Sequence, residues 1–190
     1  MIAKLFNYKM SSLLLIGVGF SSLNGCGIDR LTGQNKMVSE NRSFQDFSEI
    51  KVGDNFRVEV IQAESYSVRV RARKGNLDKI KIRQNNEELK VKISGGLIMT
   101  GDMKITIKTP FLRKLSVKDN SQVKVKGEWS ESVDFDVSDN ARLTVEGVFS
   151  SVYTNVSDNG FVNFEKLESQ SFSNSVSDNG QINTEKREYF

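Results

Sequence analysis

A chain of 190 residues with 27% charged and 37% hydrophobic side chains is the size of one domain, or of two small layers sharing a core. It contains no histidine and a single cysteine, which excludes Ser-His-Asp and Cys-His catalysis and ordinary zinc sites. The net charge of +3 includes Lys4 and Lys9 near the N-terminus, so the rest carries about +1 and gives no reason to seek nucleic acid.

The first element is an apolar stretch from Leu13 to Phe20, preceded by those two lysines and followed by Leu23-Asn24-Gly25-Cys26. It is too short to cross a bilayer, which needs about 20 residues, so residues 1–25 are expected to be a signal peptide rather than a permanent span. The Leu-x-Gly-Cys order resembles the lipobox of bacterial lipoproteins, in which the cysteine is acylated and becomes the first mature residue. Cys26 is therefore the expected lipidation site, and its acyl chains the expected link to the membrane. A plain secreted protein with an incidental cysteine is the competing reading. An outer-membrane lipoprotein of the cell envelope is the expected localisation, with the face of that membrane left open.

Residues 26–43 are polar and aperiodic and are expected to be a tether. From Ile50 onward strict alternation takes over: Phe56, Val58, Val60; Val68, Val70, Ala72; Ile80, Ile82; Leu89, Val91, Ile93; Met103, Ile105, Ile107. Each run reads as a half-buried strand. The runs flanking Asn85-Asn86 read as a hairpin, and Pro110 stands where alternation gives way to a repeat.

The repeat reads LSVKDNSQVKVKG, FDVSDNARLTVEG, TNVSDNGFVNFEK and NSVSDNGQINTEK, with Asp-Asn pairs at 119/120, 139/140, 158/159 and 178/179. Apolar columns share its register: Val117, Val137, Val156, Val176 before the turn and Val123, Leu143, Val162, Ile182 after it. Two short strands per repeat, stacked on the same positions one rung away, would bury a core that no single repeat can bury. The expected fold is all-β: a strand meander leading into a right-handed, parallel β-helix-like solenoid with rungs of about 20 residues, repeats over 111–190, and one domain over 44–190. The inward columns turn polar at Thr154, Asn174 and Thr184, as a terminal cap would.

These features together resemble the auto-transporter adhesin head GIN domain family of Bacteroidota lipoproteins. The likeness rests on the lipoprotein signal, Phe47-Ser48-Glu49-Ile50-Lys51-Val52, Tyr66-Ser67-Val68-Arg69-Val70, the stretch Ile105 to Leu112, and the repeats. It covers about residues 44–185. The turn here reads Ser-Asp-Asn-Gly or a near variant, where many family members carry Ser-Gly-Ser-Gly, which makes its surface more acidic. What the resemblance implies is a right-handed helical body of strands and an adhesive or scaffolding role without catalysis; a fold transfers far better than a function.

Candidate chemistry is confined to carboxylates and aromatics, and no cofactor is implied. The column Asp119, Asp139, Asp158, Asp178 suits calcium by its oxygen donors, although the Gly-Gly-x-Gly-x-Asp pattern of calcium-binding β-rolls is lacking. The same column invites comparison with polysaccharide lyases and hydrolases, but a catalytic pair needs two carboxylates in unlike environments. A carbohydrate-active enzyme or a calcium-dependent glycan-binding module thus stands as the alternative. The plainer reading is turn chemistry, because Asp and Asn tolerate left-handed backbone and Gly160 and Gly180 follow where positive φ is cheap. Asn120, Asn140, Asn159 and Asn179 would then form an amide ladder. Trp129 and Tyr153 are candidate glycan contacts, with corner packing as the alternative for both. A glycan or protein of the envelope is the expected ligand. Lysine and arginine outnumber acids 13 to 7 over residues 51–110, and the balance reverses to 9 against 13 over 111–190. Such a dipole can orient a body on a charged surface, or reflect solvated strand faces alone.

Overall fold

A computed structural model describes residues 33–95 and 103–184, so Cys26 and the signal segment lie outside the described residues. Twelve strands are formed: β1 Met37–Arg42, β2 Glu49–Val52, β3 Arg57–Gln62, β4 Ser67–Arg73, β5 Ile80–Asn85, β6 Glu88–Ile93, β7 Lys104–Thr109, β8 Lys114–Val117, β9 Gln122–Val137, β10 Arg142–Val156, β11 Phe161–Val176 and β12 Gln181–Thr184. They make one curled, all-β sheet. No helix among the described residues is long and apolar enough to cross a membrane.

The long strands β9, β10 and β11 each bend midway, giving every one a first arm in one half of the sheet and a second arm in the other. The first arms continue through β3, β7, β4 and β1, and the second arms through β8, β2, β6 and β5. The halves face each other across a single core. Phe135 on a second arm lies 6.3 Å from Phe164 on a first arm, and Phe164 meets Phe172 edge-on at 5.0 Å.

Within this frame the chain makes parallel rungs, each consisting of a second-arm strand, a turn and a first-arm strand. β9 and β10 pair in parallel with Val123 beside Leu143 and Val137 beside Val156, and β10 and β11 repeat the pattern with Val162 and Val176. Val123, Val137, Leu143, Val156 and Val162 are buried because the same position one rung away, ~4.8 Å off, presents a like surface, whereas Val176 at the last rung is half exposed.

The N-terminal half departs from the expected meander. β2 and β3 form a rung of the same stack, with Ile50 beside Leu115 and Val58 beside Val123. Outside it, β6 and β7 form another, with Leu89 beside Ile50 and Ile105 beside Val58. Only then do antiparallel strands close the end: β4 and β1 on one half, β5 on the other. The reason is that Ile50, Val52, Val58 and Val60 carry the same apolar spacing as the later repeats and find their best surface on β8 and β9. The hairpin at Asn85-Asn86 is formed as expected, with Asn86 at φ 52°.

The segment expected as a tether over 26–43 is also corrected in part. Residues 37–42 are β1, held by backbone pairing to β4 and by Arg42, whose guanidinium donates to the carbonyls of Ile80 at 2.6 Å and Leu77 at 3.2 Å. No apolar alternation marks this strand, since it supplies mainly backbone partners for β4.

Candidate functional site

The Asp-Asn turns line one side of the stack. Asp119, Asp139, Asp158 and Asp178 all adopt left-handed backbone, with φ of 62, 63, 56 and 53°. Asp54 does the same at 64°, so Gly53-Asp54-Asn55 between β2 and β3 is a fifth turn of the series. The sequence carries its signal openly in Val52-Gly53-Asp54-Asn55-Phe56, but 65 residues separate Asp54 from Asp119, which hides it from a search at 20-residue spacing.

Three carboxylates of this series, those of Asp54, Asp119 and Asp139, serve the backbone. Asp119 Oδ2 accepts from the Asp54 N–H at 2.7 Å, Asp139 Oδ2 from the Asp119 N–H at 3.4 Å, and Asp54 Oδ2 from the Ile93 N–H at 2.7 Å. Ser138 and Ser157 hydroxyls donate to Asp139 and Asp158. Among the described residues no group of three or more acidic, histidine or cysteine side chains is gathered to hold a metal ion. Asp119→Ala should therefore cost roughly 0.5–1.5 kcal/mol by removing the acceptor of the Asp54 N–H, whereas Asp119→Asn, which keeps an acceptor, should cost less. Thermal melts with millimolar calcium or a chelator read both effects; a calcium-dependent shift lost in Asp119→Asn would assign the column to metal instead.

Among the described residues the asparagine column makes one amide bond from rung to rung, Asn179 Nδ2 to Asn159 Oδ1 at 3.3 Å, while the Asn120 N–H donates to the Asp54 carbonyl at 3.1 Å. Gly160 and Gly180 do not supply positive φ, as had been expected; the aspartate before them does. Their lack of a side chain is steric, since a Cβ would lie 2.7 Å from the carbonyl oxygen of Val137 or Val156.

Trp129, a candidate glycan contact by sequence, is only 3% exposed. Its ring stacks on Phe149 at 5.3 Å and 14°, one rung away at the strand bend, so it serves corner packing. The indole Nε1 is buried without a partner among the described residues. Tyr153, by contrast, stands 47% exposed on the outer face of the second arms, beside Asp134.

That face carries a groove of about 390 Å³ lined by Glu49, Glu88, Lys114, Ser116, Asp136 and Asn155, among others. Asp136 is its hub: it pairs with Lys114 at 3.1 Å and accepts from Asn155 at 3.1 Å and Ser116 at 3.5 Å. Burial pushes the Asp136 carboxyl up, but the hydrogen bonds from Asn155 and Lys114 and the lysine charge hold it below the ordinary carboxylate range. The same contact raises Lys114. On the first-arm face Lys104, Glu59, Lys126, Glu146, Lys124 and Glu165 form a chain of ion pairs running across the rungs. There the Lys104 hydrogen bond leads in lowering Glu59.

A carboxyl lowered on folding contributes stability that is complete above its unfolded value and is lost as pH falls past it. Tm should hold near neutrality and fall below about pH 4, with a smaller fall in Asp136→Asn; an acid limb identical in the variant would remove Asp136 from the linkage.

The model of the family described as "Putative auto-transporter adhesin, head GIN domain" matches residues 46–189. No curated protein matches the sequence. Among solved structures, the chain is similar to a "putative lipid binding protein" from Parabacteroides distasonis, with a TM-score of 0.67 at 13% identity, covering 79% of this chain and 66% of that one, just under two thirds of its length. It is also similar to a "putative adhesin" from the same species, with a TM-score of 0.61 at 15% identity over 80% and 74%. A "putative adhesin" from Bacteroides fragilis gives 0.55 at 16% over 76% and 78%. Identities this low speak for the fold alone. The family match, spanning most of the chain and every rung described above, is what places it: the chain belongs to the family described as "Putative auto-transporter adhesin, head GIN domain".

Proposed function

We propose that the protein is a non-enzymatic lipoprotein of the outer membrane, held by acyl chains on Cys26, whose rungs wind as a right-handed β-helix-like solenoid and present a ligand-binding face to the envelope or its surroundings. The observation that carries the binding role is the second-arm groove, in which Lys114, Asp136, Ser116 and Asn155 form a prearranged set of donors and acceptors with exposed Tyr153 on the same face. Hydroxyl-rich glycans are bound by such sets: planar polar side chains fix orientation and an aromatic ring supplies apolar contact. Asp54, Asp119 and Asp139, whose carboxylates accept backbone N–H groups, act as structure.

A glycan array probed with the protein should show retained ligands that Tyr153→Ala weakens without lowering Tm and that Asn155→Ala also weakens, with the small loss of stability expected of the hydrogen bond it removes from Asp136. Binding unaffected by either variant would move the site elsewhere. Cys26→Ser should transfer the protein from the membrane to the soluble fraction; continued retention would sink the anchor. Protease shaving of intact cells then decides the face, since cleavage places the groove outside and protection places it in the periplasm.

A further inference from the structure

The strongest unabsorbed feature is the charge at the closed end of the stack. On the outer face of the β5–β6 hairpin, Lys81 lies directly opposite Lys92 and Arg83 opposite Lys90, with Lys51 of β2 beside Lys90. Like charges facing each other across strands destabilise a sheet. None of these five has an ion pair among the described residues, and Lys81, Arg83, Lys90 and Lys92 border a shallow groove of about 280 Å³. Repulsion from Lys92, with smaller contributions from burial and Lys51, holds the Lys90 ammonium below the ordinary lysine range.

The opposite face of the same end is basic too. Arg69 and Arg71 project from β4, and Lys104 and Lys108 from β7. Lys74 and Lys79 lie in the connection from β4 to β5 that crosses the end of the stack. Lysines on an edge strand deter pairing with another chain, but that reason covers β5 alone and not β6, β7 or the crossing connection. Of the nearby acids, Glu59 pairs with Lys104 and Glu40 with Arg42, whereas Glu88 and Asp78 make no ion pair with the β5–β6 cluster among the described residues.

The chain also enters at this end. Lys36 accepts the Lys74 N–H through its carbonyl at 3.0 Å, and Arg42 ties β1 to the start of β5. Residues before Gly33, Cys26 among them, are thus joined to the molecule beside the collar, while the acidic rungs lie at the far end.

We infer that the basic collar of β4–β7 docks on an anionic lipid surface, so that the stack stands on the membrane with its C-terminal rungs pointing away. Lipid phosphates supply the negative charge that the facing lysine and arginine pairs of β5 and β6 lack, and Lys74 and Lys79, in the connection that crosses the end, extend the positive charge over it. The attraction acts within a Debye length, about 8 Å at physiological salt, so it needs the tether to hold this end close. The inference therefore rests on the anchor reading.

The test uses the full anchored protein reconstituted into vesicles of neutral phosphatidylcholine, or of phosphatidylcholine with about one third phosphatidylglycerol. Amine acylation is read lysine by lysine by mass spectrometry. Lys81, Lys90 and Lys92 should react about threefold or more slowly on the anionic vesicles, Lys166 at the far end should react equally on both, and about 0.5 M salt should abolish the difference. Lys81→Gln with Lys92→Gln, both exposed and tolerant of change, should reduce the protection of Lys90. Equal labelling on both vesicles would overturn the docking while leaving the anchor intact. Failure to float with either vesicle would overturn the anchor and with it this inference. Protection by soluble dextran sulfate but not by anionic vesicles would replace the lipid surface with an acidic polysaccharide.

Discussion

Val137→Asp should abolish the cooperative thermal transition. Val137 is 1% exposed and sits in a column between Val117 and Val156, so a carboxylate there has neither water nor a cation. An uncompensated buried charge costs about 3–5 kcal/mol, against a total stability of ~5–15 kcal/mol for a domain. Val176 occupies the same column two rungs further and is 50% exposed, because no strand pairs beyond the second arm of β11 among the described residues. Val176→Asp should stay within about 0.5 kcal/mol of the parent. The pair separates burial from residue type, and identical melts would mean that the inward register is wrong.

The second large effect is at the strand bend. Gly127 in β9 has φ of 149°, and a Cβ built on it would lie 2.2 Å from the Cβ of Gln62 at the end of β3. One rung on, a Cβ on Gly147 would lie 2.2 Å from the Gly127 carbonyl oxygen. The two glycines let successive rungs turn from one half of the sheet into the other at the rung spacing. Gly127→Ala adds strain and overpacking together and should cost roughly 2–4 kcal/mol in urea denaturation. Gly33→Ala, where an added methyl meets nothing within 4 Å, should be neutral. Equal midpoints would show that β3 and β9 can part at the bend without loss.

The C-terminal rungs were legible because each repeats one apolar register on either side of one turn. The register of the repeats alone places Val137 beside Val156. The rung of β2 and β3 bears the same register and turn but stands apart in the chain, so periodicity alone passed over it. The rung of β6 and β7 has no Asp-Asn pair, and its membership is decided only when Leu89 and Ile105 find Ile50 and Val58. Trp129 shows a different limit: alignment with Phe149 correctly identifies a shared column, but exposure depends on how the strand bends. β1 could not be read at all, since what fixes it is the free backbone of β4 and two carbonyls reached by Arg42.

Chain order and rung order disagree at the N-terminal end, where β6 and β7 lie outside β2 and β3 although they follow them in sequence. Joining Asp54 to Asp119 closes a loop of 65 residues, whereas Asp119 reaches Asp139 across 20. By loop-closure entropy the longer connection costs about 1 kcal/mol more. Beyond the local β5–β6 hairpin, assembly of the stack then starts where neighbours are close, among β9, β10 and β11, and spreads toward the N-terminus. β2 and β3 wait as unpaired apolar strands until partners arrive on both flanks, so the earliest-made part of the body is the last to be sheltered and the most exposed to aggregation on the way.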